Sequence, residues 1–177
     1  MTLSSDFRRS RRASALSLSE IVRISEAARA LQAQGKPVLT FGTGEPDFPT
    51  PDHVIEAAHQ AALRGATSYT PTQGIAPLRQ AVADQAGFDI DPAQILISTG
   101  AKQVLSNAFL ATLDPGDEVI VPAPYWTSYG DIIDCCEARL VPVTCSVDAG
   151  FLLTPDALEA AITDKTRWLL LNPPGPP

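Results

Sequence analysis

Gln94-Ile95-Leu96-Ile97-Ser98-Thr99-Gly100-Ala101-Lys102-Gln103 reads as a short apolar strand running into a turn of small residues. Beyond the turn, Val104, Leu105, Ala108, Phe109 and Leu113 recur at three-to-four-residue spacing, the period of a helix with one buried face. The turn therefore sits at a strand-to-helix junction, where the first backbone N–H groups of the helix have no partner within it. Gly100 and Ala101 leave that backbone approachable, and free amides at the positive end of a helix dipole favour a phosphate or carboxylate. Lys102 adds a full positive charge. The same residue types also serve as plain helix caps, so the surroundings decide between an anion cup and an ordinary cap.

Outward from this junction, strand and helix signals alternate. Upstream, Ile21, Ile24, Ala27, Ala28 and Leu31 make one face of a helix from about Leu18 to Gln34, with Gly35 placed to end it. Val38 to Phe41 predicts a short strand, and Gly42 to Pro51 is too rich in Gly and Pro for regular structure. Thr50 or Asp52 is placed to cap a helix through Val54, Ala57, Ala58 and Ala62, and Pro77 to Gln85 predicts another. Downstream, Asp114-Pro115-Gly116-Asp117 is a turn in which Pro fixes one φ and Gly supplies a positive one. Strands are expected at 118–121, 140–144 and 167–171, with an aromatic loop at 122–129 and helices from about Gly130 and from Pro155 to Ile162. This alternation indicates an α/β domain with a mainly parallel sheet, whose ligands gather beyond the carboxyl ends of the strands. The cup and the aromatic loop both follow strand ends.

The 177 residues are 45% hydrophobic, enough for one domain with a sizeable core, and contain no run long enough to span a membrane. A formal charge of -7 argues against nucleic acid as a partner, because such binding depends on neutralising phosphates. Arg8, Arg9, Arg11 and Arg12 form a basic cluster, read as a solvated N-terminal arm over residues 1–17 with an Arg- and Ser-rich transit peptide as the alternative. No continuous apolar segment follows it as in a signal peptide, and the cytoplasm is the default location. Cys135, Cys136 and Cys145 suit a reducing compartment and buried small side chains better than a disulfide or zinc framework.

Taken together, Gly44-Glu45-Pro46-Asp47-Phe48, Tyr69 followed by Gly74-Ile75 and Leu78-Arg79, the cup at 98–103, and Asp114 to Val119 through Pro124-Tyr125-Trp126 resemble the class I and II aminotransferases of aspartate aminotransferase type. Order and spacing agree from about residue 15 onward. The resemblance implies the large domain of the fold type I enzymes that use pyridoxal 5′-phosphate, amino acid and 2-oxo acid substrates, and a homodimer. Residue by residue, Gly100, Ala101 and Lys102 match the turn that holds the cofactor's phosphate, and Trp126 the aromatic residue stacked on its ring. Tyr69 matches a tyrosine that reaches the phosphate of the neighbouring subunit's cofactor, and Gly44 a backbone position that meets the substrate's α-carboxylate.

The departures shape the expectation as much as the matches. The family uses a Schiff-base lysine and an aspartate beside the pyridinium nitrogen, and the resemblance places both beyond residue 177. Lys36, Lys102 and Lys165 are the lysines present, and none has the family's Ser-x-x-Lys setting. No catalytic residue is therefore assigned. Residues 18–177 are read as the N-terminal part of the cofactor-binding domain, with the later strands and the small domain missing. Asn172 to Pro177 falls where the family has Asn-x-Pro-x-Asn-Pro, which puts Pro176 at the place of a cofactor-bonding asparagine unless a deletion moves Asn172 there. In the family's sheet, strand 94–97 lies on one side and strands 118–121, 140–144 and 167–171 on the other, with later strands between, so a gap and unpaired edges are expected. Two readings follow for the chain: part of a transaminase, inactive in isolation, or a non-catalytic remnant that keeps a dimer surface and weak phosphate or cofactor binding.

Overall fold

The computed structural model describes residues 8–15, 20–41, 44 and 46–172. The chain forms two compact units, one built from the chain up to Val38 and again from Val104, the other from Leu39 to Gln103.

The first unit is organised on a parallel sheet of β1 (Glu118–Ala123), β2 (Arg139–Thr144) and β3 (Thr166–Leu169), in the order β2-β1-β3. β1 pairs in register from Glu118 opposite Arg139 to Ala123 opposite Thr144, and on its other edge places Val119 opposite Trp168 and Ile120 opposite Leu169. Being central, β1 buries Glu118 to Val121 without the alternation of a half-exposed strand, as a parallel strand covered on both faces should. Helices α5 (Gly100–Thr112) and α6 (Ser128–Cys135) complete the core: Phe109, Leu113, Val119, Val121, Tyr129 and Ile133 form its centre. Phe109 meets Trp168 edge to face, with ring centroids 5.3 Å apart. The indole N–H donates to Thr112 Oγ1 at 2.9 Å, so a polar group in an apolar contact is satisfied. Helix α7 (Pro155–Ala161) is capped by Thr154, whose hydroxyl oxygen accepts from the Ala157 amide.

Among the described residues one charged side chain is buried. Glu118, at the start of β1, is 4% exposed. It accepts from the Thr163 hydroxyl at 2.7 Å and from Arg139 at 2.8 Å, joining the central strand to β2 and to the turn before β3. The Thr163 hydrogen bond and the Arg139 guanidinium outweigh burial and hold its carboxyl below the usual value. Helices α1 (Arg11–Ala15) and α2 (Glu20–Ala33) precede the sheet in the chain. The arginine-rich stretch expected as a solvated arm keeps its described residues exposed but winds into α1, where Arg11 pairs with Glu137 after α6.

The second unit contains α3 (Asp52–Leu63), α4 (Ala76–Gln85) and one 3₁₀ turn at Pro92–Gln94. Here three local expectations fail. Val38 to Phe41 forms no strand, and Leu39 and Phe41 are 84% and 91% exposed. The apolar stretch before the cup is not a sheet strand either. Gln94 belongs to the 3₁₀ turn, Ile95 to Ile97 run on without entering a ladder, and Ile97 donates its amide to the Gln73 carbonyl instead. β-propensity reports a fit to a pleated surface, and neither stretch finds a pairing partner among the described residues. The cap of α3 differs too: Pro51 holds that position with no side-chain bond, while Asp52 sits in the first turn, where its charge favours the helix dipole.

Candidate functional site

Helix α5 opens at Gly100, whose φ of +78° suits glycine and whose amide donates to the Ser98 carbonyl at 2.9 Å. A side-chain carbon there would meet nothing within 4 Å, so the backbone angle, not crowding, calls for the glycine. The first turn carries no acidic residue. It carries Lys102, and Ala101 and Lys102, the second and third residues of the helix, have amides with no acceptor within it. Open space at Gly100, helix-terminal amides and a lysine on the first turn fit a phosphate.

Trp126 lies in the loop after β1, in the unit that holds the sheet. Its ring stands edge-on to Tyr129 of α6, centroids 5.4 Å apart at 89°, and Tyr125 stacks on the same tyrosine. The Tyr129 amide donates to the Trp126 carbonyl at 3.0 Å, fixing loop to helix. The indole is thereby held against Tyr129 and stays 38% exposed, leaving surface for a flat ligand. Tyr129 drew no attention in the sequence as a support. Its signal was the clustering of Tyr125, Trp126 and Tyr129 within five residues. Beside this cluster, past the carboxyl ends of β1 and β3, is a cavity of about 220 Å³ lined by Pro122, Tyr125, Tyr129, Cys145, Leu170 and Asn172 among others. Pro176, the other position weighed for the cofactor-bonding asparagine, lies outside the described residues.

The remaining candidates belong, with the cup, to the second unit. Tyr69 is fully exposed and with Thr67, Ser68 and Thr70 lines an open hollow of about 500 Å³. Gly44 is exposed, with no atom within 4 Å of a would-be Cβ, so space does not demand a glycine there. Its neighbours Gly42, Thr43 and Glu45 lie outside the described residues. Thus the structure groups Gly100, Ala101 and Lys102 on one helical turn, with Gly44 and Tyr69 elsewhere in the same unit and Trp126 in the other. The three cysteines are free thiols; Cys136 and Cys145 are buried. No helix among the described residues is long and apolar enough to cross a membrane.

With this fold and these residues in place, comparison with known proteins assigns the class. The profile of the family "Aminotransferase class I and II" matches residues 36–177, and the chain belongs to that family. Among particular proteins, it is 48% identical over 175 residues to the aspartate aminotransferase of Rhizobium meliloti, an alignment covering 97% of this chain and 43% of the relative. An aspartate/prephenate aminotransferase of Cereibacter sphaeroides is 45% identical over 163 residues, 90% of this chain and 41% of its own. The crystal structure of the R. meliloti enzyme superimposes with a TM-score of 0.90 over 97% of this chain and 44% of that one. That of Thermus thermophilus aspartate aminotransferase with maleate gives 0.91 at 39% identity, covering 97% and 46%. The fold is that of the fold type I aminotransferases, and the chain spans less than half the length of these relatives.

Proposed function

We propose that this chain is part of a pyridoxal-phosphate-dependent aminotransferase that moves an amino group from an amino acid such as aspartate to a 2-oxo acid. The observation that carries the reading is the opening of α5, with approachable backbone at Gly100 and Lys102 on the first turn. When bound, the cofactor supplies an electron sink for negative charge developing at the substrate's Cα. Gly100, Ala101 and Lys102 hold its phosphate through amide donors and an ammonium group. Trp126 covers one ring face, and the edge contact from Tyr129 limits its tilt. Gly44 offers backbone to the substrate's α-carboxylate. Tyr69, extended from its unit, reaches the phosphate of the neighbouring subunit in a cytoplasmic homodimer.

On this reading the 177 residues bind cofactor without turning over. Lys36 follows α2, Lys165 lies in the turn before β3 and Lys102 serves the phosphate, so none is placed to bond the cofactor covalently. Calorimetric titration with pyridoxal phosphate and with pyridoxal tests this. Binding should require the phosphate and weaken about tenfold in Lys102→Ala, the loss expected of one charge-assisted contact. Borohydride treatment should leave no lysine adduct by mass spectrometry, and aspartate with 2-oxoglutarate should give no oxaloacetate. Equal affinity for both compounds overturns the cup; an adduct at one lysine overturns the non-catalytic assignment.

A further inference from the structure

We propose that Gly74 and Ile97 form a latch that positions the phosphate cup at 98–103 from the turn that follows Tyr69. The proposal rests on the reading of that cup as the phosphate site.

The latch has a backbone and a side-chain part. The Ile97 amide donates to the Gln73 carbonyl at 3.0 Å, the one backbone bond shown for the stretch Leu96 to Ser98 that reaches another segment. Gly74, next in the chain, has φ +96°, and a Cβ there would stand 2.7 Å from both Cβ and Cγ1 of Ile97. Both facts exclude larger residues, the angle because L side chains rarely adopt it and the distance because it is far inside van der Waals contact. The turn is itself closed by the Gly74 amide donating to Pro71 at 2.8 Å. A second tie holds the start of the same segment, Arg79 Nη1 of α4 donating to the Pro92 carbonyl at 2.9 Å.

The consequence is positional. Ile97 immediately precedes Ser98, whose carbonyl accepts the Gly100 amide, so the latch adjoins the cup's own first bond. Among the described residues Ile95 to Ile97 pair with no strand. The latch is the tie that holds this stretch to another segment there, and so sets where the cup begins. Tyr69 lies four residues before Gln73. With Tyr69 serving the partner subunit's phosphate, the latch joins the two phosphate sites of a dimer through one backbone bond and one side-chain contact.

Amide exchange by NMR on the full chain tests this with Gly74→Ala, which strains the turn and crowds Ile97, and Ile97→Ala, which trims the contact back to Cβ and leaves the turn alone. Exchange at Ile97, Gly100 and Val104 should rise about tenfold or more in both variants, since local opening is read directly by exchange. Val82 to Gln85 in α4 and Val119 to Val121 in β1 should keep the parent's protection. Affinity for inorganic phosphate, measured in parallel, should fall in both. Unchanged exchange at Ile97 and Gly100 overturns the latch whatever phosphate does. A rise spread equally over α4 and β1 assigns the pair to general stability and overturns the positioning role. A parent chain that binds no phosphate, with the selective rise still present, upholds the latch and overturns the cup.

Discussion

Glu118 shows how one side chain carries a pH dependence. Its folded-state pKa lies below the ordinary 4.5, chiefly through the Thr163 hydroxyl and then Arg139 against the cost of burial. The stability this contributes is complete above 4.5 and drains as pH falls through the lower folded-state value. An acid titration of the melting temperature should therefore be flatter in Glu118→Gln, which should also melt lower at neutral pH; parallel acid limbs would disprove the assignment. Cys136 behaves oppositely. Burial, then the neighbouring Cys135, push its thiol above the ordinary 9.0 against a smaller pull from Arg12. The thiolate is the reactive form, so iodoacetamide at neutral pH should label half-buried Cys135 well before Cys136, as tandem mass spectrometry can read. The sequence flagged all three cysteines as buried small residues; it held no means of ranking them, because burial is set by packing against segments distant in the chain.

At the scale of elements, α5 and β3 depend on one aromatic contact. Phe109 is fully buried against Trp168, and Phe109→Ala should cost about 3–5 kcal/mol by denaturant unfolding, as large cavities in a packed core do. Thr154→Ala should cost about 1 kcal/mol through loss of the α7 cap. Helix boundaries were readable to within a residue or two wherever apolar period, Pro and Gly agreed: Pro77 to Gln85 became Ala76–Gln85, and Pro155 to Ile162 became Pro155–Ala161. Strand existence was less legible. Val119 to Val121 and Ile95 to Ile97 look alike as apolar runs, yet the first has parallel neighbours on both edges and the second none. A helix satisfies its backbone from its own residues, whereas a strand needs another segment.

On the scale of the whole molecule, Leu39, Phe41, Phe48, Tyr69 and Phe88 are all more than half exposed, and α3 and α4 bury no residue. Such surface seeks cover. The chain on its own should bind a hydrophobic dye and unfold over a broad range in calorimetry, and a sharp, concentration-independent melt of a dye-free monomer would refute this. Of the candidate residues, Gly44, Tyr69 and Gly100 to Lys102 belong to one compact unit and Trp126 to the other. Local sequence was enough for the α/β class, the helices and the family, because period, turn chemistry and motif order are properties of neighbouring residues. Only the tertiary structure decided which apolar runs became strands, that Glu118 would sit charged in the core, that Tyr129 would brace Trp126, and that Gly74 would meet Ile97. Pairing, burial and electrostatic environment are set by residues far apart in the chain, and local pattern carries no record of them.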